Sequence, residues 1–106
     1  MSVPLYQAKA EMFRVLGHPV RIRVLELLQN GPSPVRDLLS EIDVEASALS
    51  QQLAVLRRAG VVVSFRDKGL VMYALSTPAV ADLLAAGRRI LREVLTDREE
   101  LLKLLS

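Results

Sequence analysis

Apolar residues along this chain recur at helical spacing, switch to strand spacing after one glycine, and then return to helical spacing. Leu5, Met12, Phe13, Val15 and Leu16 share a broad stripe over residues 5–16, which predicts a helix ending at Gly17-His18-Pro19. Pro19, with its fixed φ, suits the first turn of a second helix through Ile22, Val24, Leu25, Leu27 and Leu28 that stops at Asn30-Gly31. That helix is apolar on nearly every side and reads as buried against several neighbours. Ser33 followed by Pro34 predicts the cap of a short third helix, through Leu38 and Leu39 to about Ile42. Asp43-Val44-Glu45 turns the chain into a fourth helix that ends at Ala59-Gly60, where the glycine suits a left-handed stop.

After Gly60 the period falls from 3.6 to 2. Val61, Val63 and Phe65 alternate with Val62, Ser64 and Arg66, and Val71, Tyr73 and Leu75 alternate with Met72 and Ala74. Asp67-Lys68-Gly69 lies between the two runs, which predicts a β-hairpin with a charged tip. Thr77-Pro78 starts a long helix with Val80, Leu83, Leu84, Ile90, Leu91, Val94 and Leu95 on its apolar side. The tail is read as a continuation of that helix. A break at the capping-box pattern Thr96-Asp97-Arg98-Glu99, with a restart, is the alternative.

The expected fold is therefore mainly α with a small β-hairpin, in the order helix, helix, short helix, helix, strand, strand, helix, as one domain over residues 1–106. Two helices joined by a tight turn and followed by a hairpin form the winged helix-turn-helix arrangement. On the fourth helix Leu49, Leu53 and Leu56 fall within about 60° of one another at 100° per residue. Ser47, Gln51, Ala54 and Arg58 cluster about 160° away. One face is anchored to a core, and the other is small, polar and basic. Such a face suits a DNA major groove about 12 Å wide. Gln51 can pair with adenine, Ser47 and Ser50 can reach base edges or phosphate, and Ala46 and Ala48 can touch a thymine methyl. Arg57 and Arg58, near the helix end, suit phosphate contact better than base reading. Arg66 and Lys68 sit at the hairpin tip, where a wing reaches a minor groove or flanking phosphates.

Charge distribution agrees with this placement. The formal net charge is only +2, and residues 1–44 and 77–106 are each balanced at five basic and five acidic side chains. The whole excess lies in residues 45–76, with Arg57, Arg58, Arg66 and Lys68 against Glu45 and Asp67, so a polyanion meets that block first. Hydrophobic residues make up 51% of the 106 positions and aromatics only 4%, which indicates an aliphatic, helix-rich core. The absence of cysteine excludes disulfides, thiolate metal sites and thiol switches. No secretion signal and no apolar run long enough for a bilayer are read, and a cytoplasmic location is expected. Catalysis is not expected, because the sole imidazole, His18, has no supporting acid and hydroxyl, and no phosphate-cradling glycine motif occurs. His18 is read as helping to cap the second helix. No cofactor is expected, and a weak divalent-metal site would have to draw on His18 or Asp82.

Three runs resemble the ArsR/SmtB family of small bacterial repressors. They are Leu16-Gly-His-Pro-Val-Arg-Ile-Arg-Val-Leu25, Leu49-Ser-Gln-Gln-Leu-Ala-Val-Leu-Arg-Arg-Ala-Gly-Val-Val62, and the hairpin Arg66-Asp-Lys-Gly…Tyr73-Ala-Leu75. The resemblance covers about residues 5–95. It implies a winged-helix homodimer paired through its first and last helices, with Leu5, Met12, Leu84, Leu91, Val94 and Leu95 as the interface residues here. It also implies double-stranded DNA as partner, read at Ala46, Ser47, Ala48, Ser50 and Gln51, and repression relieved by an effector of unknown identity. Gln52 stands where the family often carries His. The family's cysteine pair in the third helix is absent from Pro34-Val-Arg-Asp-Leu-Leu39, and of its last-helix metal ligands only Asp82 survives, with Leu84 in place of the first His. Arg21 matches a basic position typical of the family and is read as structural pairing first, phosphate contact second. The competing function is a protein-interaction or dimerisation module that binds no DNA, since a leucine-rich last helix serves that role equally well.

Overall fold

Aliphatic burial around one central helix organises the chain in the computed structural model, which describes residues 2–95 and 97–106. The elements run α1 Leu5–Leu16, α2 Pro19–Leu28, β1 Ser33–Pro34, α3 Val35–Glu41, α4 Ala46–Arg58, β2 Val62–Asp67, β3 Leu70–Leu75, α5 Pro78–Val94 and α6 Arg98–Leu105. The five helices and the hairpin of the expected winged helix-turn-helix are all present, and α2 is as enclosed as its sequence implies. Val24, Leu25 and Leu28 of α2 pack with Leu38 of α3, with Leu49, Leu53 and Leu56 of α4, and with Val61 and Val62. His18 caps α2 as expected. Its backbone is extended, and its Nδ1 accepts from the Val20 N–H at 3.2 Å, while Pro19 occupies the first turn without wasting a donor.

Two elements depart from the expectation. Ser33 does not cap α3: it pairs with Tyr73 in β1, Pro34 pairs with Met72, and the sheet is three-stranded in the order β1-β3-β2. Pro34 is tolerated because β1 is an edge strand, and the Ser33 hydroxyl donates to the Pro34 carbonyl at 3.2 Å. The tail is not one continuous helix. Leu95 is extended, with φ −75° and ψ 122°. Asp97 caps a new helix, accepting from the N–H groups of Glu99 at 2.9 Å and Glu100 at 3.3 Å. Those two carboxylates lie in the first turn of α6, where the helix dipole favours negative charge. Thr96, the first residue of the capping-box pattern, lies outside the described residues.

The hairpin pairs Val62 with Leu75 and Asp67 with Leu70, so Lys68 and Gly69 alone make its turn. Both have positive φ, 51° and 81°, as a tight primed turn requires. Val62 faces inward with Tyr73 and Leu75 against the core, whereas Val63 and Phe65 face out.

Removing the α2 cap tests this local reading. His18→Ala is expected to lower stability by about 1 kcal/mol in urea unfolding at fixed protein concentration, with Asn in its place restoring most of the loss.

Candidate nucleic-acid interface

The fourth helix carries the candidate site because its core face admits a single orientation. Leu49 and Leu56 are fully buried and Leu53 is 1% exposed, so the helix cannot roll without pulling an apolar side chain into water. Ala46, Ser47, Ser50 and Gln51 are consequently exposed, and Ala48 is half-buried. The exposed set is short-chained at the beginning of the helix and basic at its end, where Arg57 and Arg58 occupy the last turn. These cations also complement the negative end of the helix dipole.

Arg57 is exposed toward solvent. Arg58 is also exposed, but it lines a cleft against α1 together with Arg14 and Arg21. The structure therefore separates these neighbouring arginines, which the sequence treats alike. At the hairpin tip Arg66 and Lys68 are both exposed, with Arg66 Nη1 3.5 Å from the Gly69 carbonyl. Lys68 is the one described non-glycine residue with positive φ, a conformation that costs an L-residue about 1 kcal/mol. The turn thus holds a cation where glycine would be less strained.

One contact that positions the site was half legible in the sequence. Arg21 Nε donates to Gln52 Oε1 at 2.7 Å, and Arg21 Nη1 donates to the Val15 carbonyl at 3.0 Å. A single half-buried guanidinium thus ties the end of α1 and the start of α2 to the middle of α4. The structural role read for Arg21 matches this, but its partner lies in another helix and no local spacing points to it.

Four of the six residues expected at a subunit contact are left exposed, and two are partly covered. Leu5 is 70% exposed and Val94 63%, Met12 and Leu91 are also exposed, and Leu84 and Leu95 are half-buried. Helix α5, seventeen residues long, contains no buried residue at all. Among the described residues no group of three or more His, Cys, Asp or Glu side chains comes together, and His18 Nδ1 is occupied by its cap.

Comparison with known proteins agrees with this geometry. The sequence model of the family described as bacterial regulatory protein, arsR family, matches residues 18–64. The HTH-type transcriptional regulator Rv0081 of Mycobacterium tuberculosis is 50% identical over 103 residues, covering 96% of this chain and 90% of its own length. Its crystal structure superposes with a TM-score of 0.82 at 52% identity, covering 92% of this chain and 98% of that one. The HTH-type transcriptional regulator NmtR of the same organism is 44% identical over 87 residues, covering 78% of this chain and 72% of its own length. The crystal structure of the transcriptional repressor BigR from Xylella fastidiosa has a TM-score of 0.71 at 30% identity, covering 87% of this chain and 91% of that one.

The Arg21 tie is open to direct measurement. A double-mutant cycle between Arg21→Gln and Gln52→Ala in urea unfolding is expected to return a coupling of about 1 kcal/mol, and strict additivity would show that no bond exists in solution.

Proposed function

Because this chain belongs to the arsR family of bacterial regulatory proteins, a family of regulators and not of enzymes, we propose that it is a homodimeric transcription repressor. On this reading residues 1–106 form one domain that acts on double-stranded DNA in the cytoplasm. The observation that carries the proposal is the two-sidedness of α4, with three leucines at or below 1% exposure on one side and Ser47, Ser50 and Gln51 open to solvent on the other. A helix held so rigidly by its back can present its front to a groove without reorganising.

In the proposed complex Gln51 reads an adenine edge, Ala46 and Ala48 lie against thymine methyls, and Ser47 and Ser50 reach base edges or phosphates. Arg57 and Arg58 meet the backbone, and Arg66 and Lys68 carry the wing to the minor groove or its flanking phosphates. The open apolar faces of α1 and α5 support pairing of two copies through Leu5, Met12, Leu84, Leu91, Val94 and Leu95. A two-fold dimer sets its recognition helices one DNA turn apart, about 34–36 Å, and so calls for an inverted-repeat operator. The relative named as a repressor supports the sign of regulation. No described helix is long and apolar enough to cross a membrane.

Selection of bound genomic fragments, followed by titration of a selected duplex, tests the proposal. Enrichment of one inverted repeat is the expected result, and no duplex binding even at low salt would hand the chain to the interaction-module reading. Gln51→Ala is expected to cost about 1–3 kcal/mol at one base position and nothing elsewhere. Lys68→Asn keeps the turn, because Asn tolerates left-handed backbone. It should therefore preserve the melting temperature while weakening all sequences alike and lowering the salt slope by about one unit. Sedimentation at micromolar concentration should give a dimer, and Leu91→Glu should give monomers.

A further inference from the structure

Beside the recognition helix lies a second feature with its own chemistry. A cleft of about 410 Å³ opens between α1 and the last turns of α4, and three guanidiniums line it, from Arg14, Arg21 and Arg58. Only one carboxylate, Glu11, lies among them, and it is already paired: Arg14 Nε donates to it at 2.9 Å. That hydrogen bond holds the Glu11 carboxyl below its ordinary value, so it remains an anion matched to Arg14 alone. Arg21 commits Nε and Nη1 to Gln52 and Val15, and its Nη2 forms no bond among the described residues. The Arg58 guanidinium forms no hydrogen bond or ion pair among the described residues. The cationic excess at the cleft is therefore unspent.

The other wall is apolar. Val15 and Val55 line the cleft, and Glu11, Val15 and Ala59 are shared with an adjoining cavity of about 230 Å³ whose remaining walls are Ala8, Met12 and Val61. Cationic and aliphatic surfaces thus adjoin across Glu11, Val15 and Ala59. Arg14 lies about 160° around α1 from Met12, so the charged end opens away from the face proposed for dimerisation.

We propose that this cleft binds a small amphipathic organic anion, with a carboxylate head against Arg58 and Arg21 and a short aliphatic body against Val15, Val55 and Ala59. Two complementary surfaces select it: the guanidiniums take a planar carboxylate in paired hydrogen bonds, and the aliphatic wall takes the chain. The site is also an effector site, a consequence that rests on the DNA-binding reading above. Arg58 shares an α4 face with Gln51, within about 20° around the axis and about 10 Å along it. That distance is comparable to the Debye length at physiological salt, so an anion seated on Arg58 cancels a charge that duplex phosphates would feel. Arg21, which fixes α4 to the α1–α2 junction, is engaged by the same ligand. Both effects weaken operator binding.

Calorimetry on the full-length dimer at constant ionic strength tests this, with hexanoate as probe and hexanamide as its uncharged counterpart. Hexanoate is expected to saturate one site per protomer, and hexanamide to bind at least about tenfold more weakly. Arg58→Gln removes a contact to the head, and Arg14→Gln leaves the Glu11 carboxylate unpaired beside it; each should weaken hexanoate about tenfold while retaining the thermal melt. Saturating hexanoate should raise the Kd for a selected duplex at least about fivefold over equal chloride, within the usual range of allosteric coupling. No saturable hexanoate binding, equal binding of the amide, or indifference to both substitutions overturns the site. If Arg58→Gln instead only lowers the salt slope of DNA binding by about one, with no hexanoate bound, the cleft is a backbone contact and the proposal falls while DNA binding stands. Hexanoate binding by a protein that binds no duplex supports the site and overturns the operator reading alone.

Discussion

The contact between α2 and α4 is the constraint on which the rest of this protein depends. Val24 and Leu25 of α2, and Leu49 and Leu56 of α4, have no exposed surface, and Leu53 has 1%. Each such side chain contributes about 1.5–3 kcal/mol by leaving water, so rotating α4 by even a third of a turn would cost several times that. A solvent-exposed face with a fixed direction follows directly. Among the described residues the side chains of Ser47, Ser50 and Gln51 form no hydrogen bond that orients them; they point outward because the leucines cannot.

Polar contacts refine what burial sets. The Arg21 guanidinium bonds to both the Val15 carbonyl and Gln52, and so couples α4 to the helix proposed to hold the partner subunit. A bond of this kind adds little net stability but has narrow geometry, so it suits registration better than adhesion. The same guanidinium borders the cationic cleft, at the joint between the helix proposed to read DNA and the helix proposed to pair.

A chain of 106 residues has limited means to enclose a core. Its buried cluster draws on α1 to α4 and the start of the hairpin, while α5 contributes only half-buried Val80, Leu83 and Leu84. The leucine stripe of α5 is thus a surface without cover in the protomer, and this deficit is the physical reason to expect a second copy. The wing is similarly economical. Its turn accepts strained backbone at Lys68 in order to hold a charge at the tip.

Local periodicity was enough to place α1, α2, α4, the hairpin and α5, because each carries its own apolar repeat, cap or stop within a few residues. The two faces of α4 and the capping role of His18 were legible for the same reason. What depended on distant partners was not. A strand of two residues, Ser33 and Pro34, has no period of its own and exists only because β3 lies alongside. Two adjoining signals competed at the tail, and the Asp97 cap prevailed over helix continuation. Which side of the hairpin faces inward, the bond from Arg21 to Gln52, and the meeting of Arg14 with Arg58 all required the helices to be packed first. A sequence specifies what each segment can bury, but tertiary packing alone decides which charges end up as neighbours.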